Sequence, residues 1–252
     1  MSTAVDGLRL ALTWLTVLPV QVRGPVDRKV GAAAIAAAPL VGVALGCLAA
    51  GLGWVLVALA APPLLVGVLV VGALALATRG MHLDGLADTV DGLGCYGPPD
   101  HALAVMRDEG TGPFAVVSLV VVLGAQMVSV ATLTVQARWL GLVVAVALGR
   151  VAFGWACRHG VGAARREGLG ALVAGTQPTL LPLIWMLAAA VAATGAVPGR
   201  WWQGPVAVAV AAVVVAAFCR HAVRRFGGVS GDVLGACCEL AATTAVVVLA
   251  LG

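Results

Sequence analysis

Apolar residues run in long stretches along most of the chain, and the polar positions gather in a few short segments between them. Runs long enough to cross a bilayer, which takes about 17–25 residues as helix, lie near 31–60, 64–79, 114–136, 140–157, 179–197, 204–222 and 233–251. The first run is long enough to be tilted or broken. Pro62-Pro63 closes it with a turn that no helix continues through. An earlier run, Leu10 to Val20, is too short to span and has no small-residue cleavage pattern behind it, so it reads as an interfacial or re-entrant helix rather than a cleaved signal. The pattern predicts an all-α fold, a polytopic transmembrane helix bundle of about seven spans plus that N-terminal helix. No linker divides it, so residues 1–252 read as a single integral membrane domain.

Composition strengthens this picture. The 252 residues are 62% hydrophobic and 10% charged, against about 25% charged in soluble domains. With 33 glycines and only 5% aromatics, the spans are expected to pack through small residues, since hydrophobicity does not drive helices together inside lipid. The net charge of +4 reflects sidedness rather than nucleic-acid binding. If the segments at 80–113, 158–178 and 223–232 share the side of the N-terminus, all of the 15 basic residues except Arg138, Arg150 and Arg200 fall on that side. By the positive-inside rule that side is the cytoplasm. Trp201-Trp202 beside Arg200 reads as an interfacial anchor on the far side. The six cysteines form no CxxC pair and are expected as reduced, packed thiols.

The acids share the basic face, which concentrates the chemistry there, chiefly in a segment at 79–113. Within it, "HLDGLADTVDG" spaces Asp84, Asp88 and Asp91 at i, i+4 and i+7. On a helix over 82–92 these fall inside an arc of about 60°, and no Lys or Arg interrupts Gly80 to Met106. Like charges so placed repel. A stripe of oxygen-only ligands suits a hard divalent cation such as Mg²⁺, which keeps waters and bridges to substrate phosphates. His82 falls on the opposite side of that helix, as a packed or interfacial histidine rather than a general base, unless the helix start frays. Gly85, Gly92 and Gly94 suit close approach of a ligand or another backbone.

Two further clusters lie on the same face. "VMRDEGTGPFA" brings Arg107, Asp108 and Glu109 before a glycine turn, where an Arg can grip phosphate and an Asp can help hold metal. "RRFGGVSGDVLGACCEL" puts Asp232 and Glu239 at i and i+7 on one helix face. Asp232 is either a helix cap or part of an anion site, and Glu239, deeper in the span, is costly unless functional. The loop with Arg158, His159, Arg165 and Arg166 serves equally as a solvated basic loop or as the wall of a phosphate site, and Arg150 within a span is expected to pair with a carboxylate or reach the basic face.

"HLDGLADTVDG" (82–92), "MRDEGTGPFA" (106–115) and "GGVSGDVLGACCEL" (227–240), with "LTVLPV", "PLVGVALG" and "ARREGLG", resemble the cobalamin synthase family, the adenosylcobinamide-GDP ribazoletransferases. The second motif departs from the family pattern in lacking a second Arg after Asp108, and Val90 stands where Ala is usual. The resemblance implies a Mg²⁺-dependent enzyme of the cytoplasmic membrane, multi-pass, with its site facing the cytoplasm. It would join α-ribazole, or its 5′-phosphate, to adenosylcobinamide-GDP and release GMP. On that reading Asp84, Asp88, Asp91 and Asp108 hold metal. Asp91 or Asp232 is the catalytic carboxylate, and Arg79, His82, Arg107, Arg165, Asp232 and Glu239 contact substrate. The partners expected are those substrates and the lipid bilayer, with no nucleic acid; homo-oligomers or contacts to other cobalamin-pathway enzymes are left open.

Two rivals remain at this stage. Asp88-Thr-Val-Asp91-Gly92 opens like the signature of CDP-alcohol phosphotransferases, but Gly94-Cys95 replaces its Ala-Arg. A secondary transporter would also carry acids, though near the bilayer midplane rather than at one face.

Overall fold

The computed structural model describes residues 3–108 and 110–252. They form eleven helices: α1 (Thr3–Leu15), α2 (Arg28–Ala58), α3 (Pro63–Ala77), α4 (Met81–Gly94), α5 (Pro99–Val105), α6 (Pro113–Val135), α7 (Trp139–Ala156), α8 (Leu169–Val173), α9 (Leu180–Ala193), α10 (Gln203–Phe226) and α11 (Gly231–Ala250). Apart from two isolated bridges, no β-structure occurs among the described residues, in keeping with the all-α expectation.

Five helices, α2, α6, α7, α10 and α11, are long and apolar enough to cross a membrane. The pair α3 and α4 makes at most one more, broken span, because the two are bent by 89°. Among the described residues five or six spans therefore qualify by length and composition, and the expected count of seven is not confirmed. The runs at 64–79 and 179–197 become helices of 15 and 14 residues, about 21–23 Å long against a hydrocarbon core of about 30 Å. Apolar residues continue past the ends of both helices into turns, and hydropathy does not register where a helix stops. The early apolar run forms α1, whose buried positions Gly7, Leu10, Ala11 and Leu15 lie along one face packed on α2.

α7 is the central helix, packed by α2, α9, α10 and α11. Glycines set its closest approach to α2: a Cβ at Gly42 would stand 2.9 Å from Ala147 Cα, and one at Gly46 2.8 Å from Val143 Cα. This is the small-residue packing expected of helices in lipid. Outward faces carry exposed Val117, Val120, Val121 and Val128 on α6, and Leu187 and Val191 on α9. Trp201 and Trp202 are also exposed, as an interfacial anchor requires. All six cysteines are free.

Long polar side chains tie each end of the bundle to backbone carbonyls. At the end holding the N-terminus of α2, Arg28 donates to Ala171 O (2.6 Å) and Ala174 O (2.7 Å), and Arg225 donates to Cys95 O (2.9 Å). At the opposite end Arg138 donates to Leu249 O (2.7 Å) and Gln203 to Leu251 O (2.6 Å). These groups satisfy carbonyls that helix ends and turns leave open.

Candidate active site

The site begins at the corner between α3 and α4. Arg79 and Gly80 both adopt positive φ, 56° and 67°, a conformation that costs a non-glycine residue about 1–2 kcal/mol. Arg79 is held there by its guanidinium, which donates to Thr13 O (2.6 Å) and Thr16 O (3.0 Å) at the end of α1. Arg79, expected to contact substrate, thus binds the corner to α1 in this structure. Beyond the corner α4 is one continuous helix, so Asp84, Asp88 and Asp91 share a face. Because α4 turns nearly square to α3, it leaves the line of α3 and packs instead on α11 and α6.

The opposite face of α4 packs on α11 through two glycines. A Cβ on Gly85 would stand 2.8 Å from Asp232 O and 3.0 Å from Asp232 Cα, and one on Gly235 would stand 3.1 Å from His82 O. The crossing sets Asp232, at the start of α11, beside the stripe. His82 is buried on this inner side, its ring 5.7 Å from that of Phe153, as its position opposite the acids implied.

A second loop supplies positive charge. Ala164 N donates to Val229 O and Val229 N to Gly162 O, each at 2.9 Å, fastening the 162–164 strand of chain to the glycine-rich turn before α11. Arg165 then lies 3.9 Å from Asp232 Oδ2 and also donates to Leu103 O on α5 (2.8 Å). Ser230, the N-cap of α11, donates to Asp232 Oδ2 (3.2 Å) while accepting from Val233 N (3.3 Å). Asp232 is therefore both near a helix cap and part of the charged cluster. Arg107, exposed after α5, acts electrostatically on Arg165 and Asp232.

Asp88 is the electrostatic centre of the stripe. Its carboxyl is pushed up to about 6, first by partial burial and then by Asp84, Asp232 and Asp91, with Arg165 opposing. Asp84 is exposed and Asp88 half-buried. Asp91 stands apart in its bonding: Oδ2 accepts from Gly112 N (2.6 Å) and Oδ1 from Ala115 N (2.9 Å). Gly112 is the N-cap of α6 and lacks a side chain to do that job, so Asp91 caps α6 from another helix. Asp108 is exposed and is not among the groups acting on Asp88, and Glu109 lies outside the described residues. Replacing Asp91 by Ala should cost about 1 kcal/mol of stability and speed hydrogen exchange at the amides of Gly112 and Ala115; unchanged exchange there would remove the capping role.

Glu239 is brought to a separate place. It accepts from Gln126 (2.7 Å), which also donates to Thr243 (2.8 Å), in a small cavity of about 50 Å³ that Arg150 also lines. Among the described residues, His82, Cys238 and Glu239 are the group whose donor atoms lie within 4.8 Å of one another. Arg150 acts on all three, so a fixed cation already supplies positive charge there. Gln126 was missed in the sequence, although a lone amide inside an apolar run is the kind of signal that marks a buried partner.

The carboxylates of the stripe do not close into a cage, and Mg²⁺ does not require one: it is commonly held by one or two carboxylates, waters and substrate phosphates. Asp84 and Asp88, oxygen donors of which Asp88 is already raised by partial burial and then by Asp84, fit such a cation. Asp91 is the poorest fit of the three because each of its oxygens already serves a backbone amide.

Comparison with known proteins gives this arrangement a family. A family model described as cobalamin-5-phosphate synthase matches residues 7–250. An adenosylcobinamide-GDP ribazoletransferase of Nocardioides sp. is 44% identical over 94% of each chain. Proteins of the same name from Frankia casuarinae and Pseudomonas savastanoi pv. phaseolicola are 40% and 35% identical over 96% of this chain, covering 94% and 98% of their own. No solved structure matches. With the match running from α1 to the last residue of α11, through every helix that builds the site, the chain belongs to the cobalamin-5-phosphate synthase family.

Proposed function

We propose that this protein is a Mg²⁺-dependent transferase that joins α-ribazole, or its 5′-phosphate, to adenosylcobinamide-GDP and releases GMP, at the cytoplasmic face of the cell membrane. The observation that carries the reading is the family match over residues 7–250. The excess of Arg and Lys on the site's side of the bundle supports the orientation.

In the reaction a ribose hydroxyl oxygen bonds to the phosphorus that bears the corrinoid. The P–O bond to GMP breaks, and the hydroxyl proton passes to a carboxylate or water. Asp84 and Asp88 would hold the Mg²⁺, which when bound neutralises charge on the pyrophosphate oxygens. Arg165 and Arg107 grip phosphate, Arg165 being fixed by Leu103 O and Asp232. Asp232, oriented by Ser230, is the carboxylate best placed to receive the proton, since both oxygens of Asp91 are engaged in capping α6. Membranes carrying the protein, given adenosylcobinamide-GDP, α-ribazole and Mg²⁺, should release GMP and form a cobalamin in equal amounts. Folded protein that does neither would overturn the assignment.

The raised Asp88 carboxyl gives a pH signature. As pH falls through about 6, a proton displaces the cation, so activity at limiting Mg²⁺ should drop and be restored by more Mg²⁺. In the metal-free protein the sign is the reverse for stability. A carboxyl raised above its unfolded value favours the fold below the unfolded pKa, and that contribution is lost as pH rises through about 6. Thermal midpoints without Mg²⁺ should therefore fall across that window, with the larger rescue by Mg²⁺ on the alkaline side. Profiles indifferent to Mg²⁺ would speak against Asp88 as a ligand.

A further inference from the structure

Beside the charged cluster lies a cavity of about 570 Å³, bounded by α1, α2, α4, α7, α8 and the start of α11. This is the size of a site for one small molecule, typically about 300–1,000 Å³. Its walls are mostly apolar, with Trp14, Ile35, Phe153 and Leu169 among them, while Asp84 and Asp232 stand in both the cavity wall and the acidic cluster. His82 stands in the wall with its ring 5.7 Å from that of Phe153, so aromatic surface backs the chamber.

We propose that this cavity receives the base of the nucleoside substrate, with the ribose at Asp84 and Asp232. The inference rests on the reaction proposed above and assigns its two substrates to different places. Ribazole is a ribosyl dimethylbenzimidazole, whose base is flat and apolar apart from one unshared ring nitrogen. It matches a greasy chamber that opens onto carboxylates. A corrinoid, several times larger and rimmed with amides, does not fit there, so its pyrophosphate reaches Arg165 and the acids from the open side. An aliphatic occupant such as a lipid chain would fill the cavity but would bring nothing polar to Asp84 and Asp232 at its edge.

Binding by the full-length protein in nanodiscs, measured by calorimetry without Mg²⁺ and alongside turnover with Mg²⁺, tests the placement. Ile35→Trp, which fills the cavity, should weaken α-ribazole binding at least tenfold and raise its KM while changing the KM for adenosylcobinamide-GDP less than twofold. Leu169→Trp, at an exposed edge of the same cavity, should do the same if the first variant fails to fold. With wild-type protein, benzimidazole riboside lacking both methyls should bind about fifteenfold more weakly, from about fourfold per buried methyl. If wild-type protein turns over substrate but the folded variants bind α-ribazole normally, or weaken the corrinoid instead, the cavity is not the base site. If wild-type protein neither binds nor uses α-ribazole, the proposed reaction fails and this assignment with it.

Discussion

Asp88→Asn should reduce turnover by about 10²–10³-fold, the usual loss when one group that stabilises charge on the transferring oxygens is removed, and should leave the bundle intact. The amide keeps the size of the side chain and takes away the ionisable group on which burial, Asp84, Asp232 and Asp91 all press. Relief of that repulsion predicts a metal-free thermal midpoint equal to or above the wild-type value near neutral pH, together with loss of the extra stability that Mg²⁺ confers. The combination separates a ligand from a scaffold residue, because a structural role would lower the midpoint along with the rate. Full activity in a folded Asp88→Asn protein would eliminate the metal role.

The second large effect is expected at a residue that carries no chemistry. Gly85→Leu inserts a side chain where even a Cβ would stand 2.8 Å from Asp232 O and 3.0 Å from its Cα. Backbone cannot swing aside as a flexible side chain can, so α4 and α11 must separate. Overpacking of this kind costs about 1–3 kcal/mol or more, and it also moves Asp232 away from Asp84 and Asp88. Activity should be lost even in preparations that remain folded, with a thermal midpoint several degrees lower. Gly235→Leu should reproduce both effects, since it pushes on His82 from the other helix. Gly72→Leu, on α3 where nothing lies within 4 Å of the added carbon, is the control and should be nearly silent. A Gly85→Leu protein with ordinary activity would mean that the crossing does not position the acids.

The sequence carries some of this and hides the rest, for physical reasons. The spacing of Asp84, Asp88 and Asp91 needs only the periodicity of one helix, and α4 spans all three. The position of His82 opposite them follows from the same geometry. The glycines were visible as openings, but the pairing of Gly85 with Gly235 joins residues far apart in the chain, and no local pattern encodes it. Asp91 looks identical to its neighbours until α6 is seen starting against it with a glycine at its N-cap position. Arg79 reads as one more basic residue on the inner side. Its task becomes visible only when Thr13 and Thr16 are found presenting carbonyls to it. The two short helices α3 and α9 were hidden because hydropathy reports what surrounds a segment and is blind to where its hydrogen bonding ends.

The square turn at Arg79–Gly80 has one more consequence. A straight α3 would carry the acids along its own line. The 89° bend sets α4 against α11 and α6 instead, where Asp84 acts on Asp232 in the first turn of α11 and Asp91 holds the opening amides of α6. One corner in the backbone thus hands a single row of carboxylates to two helix beginnings at once.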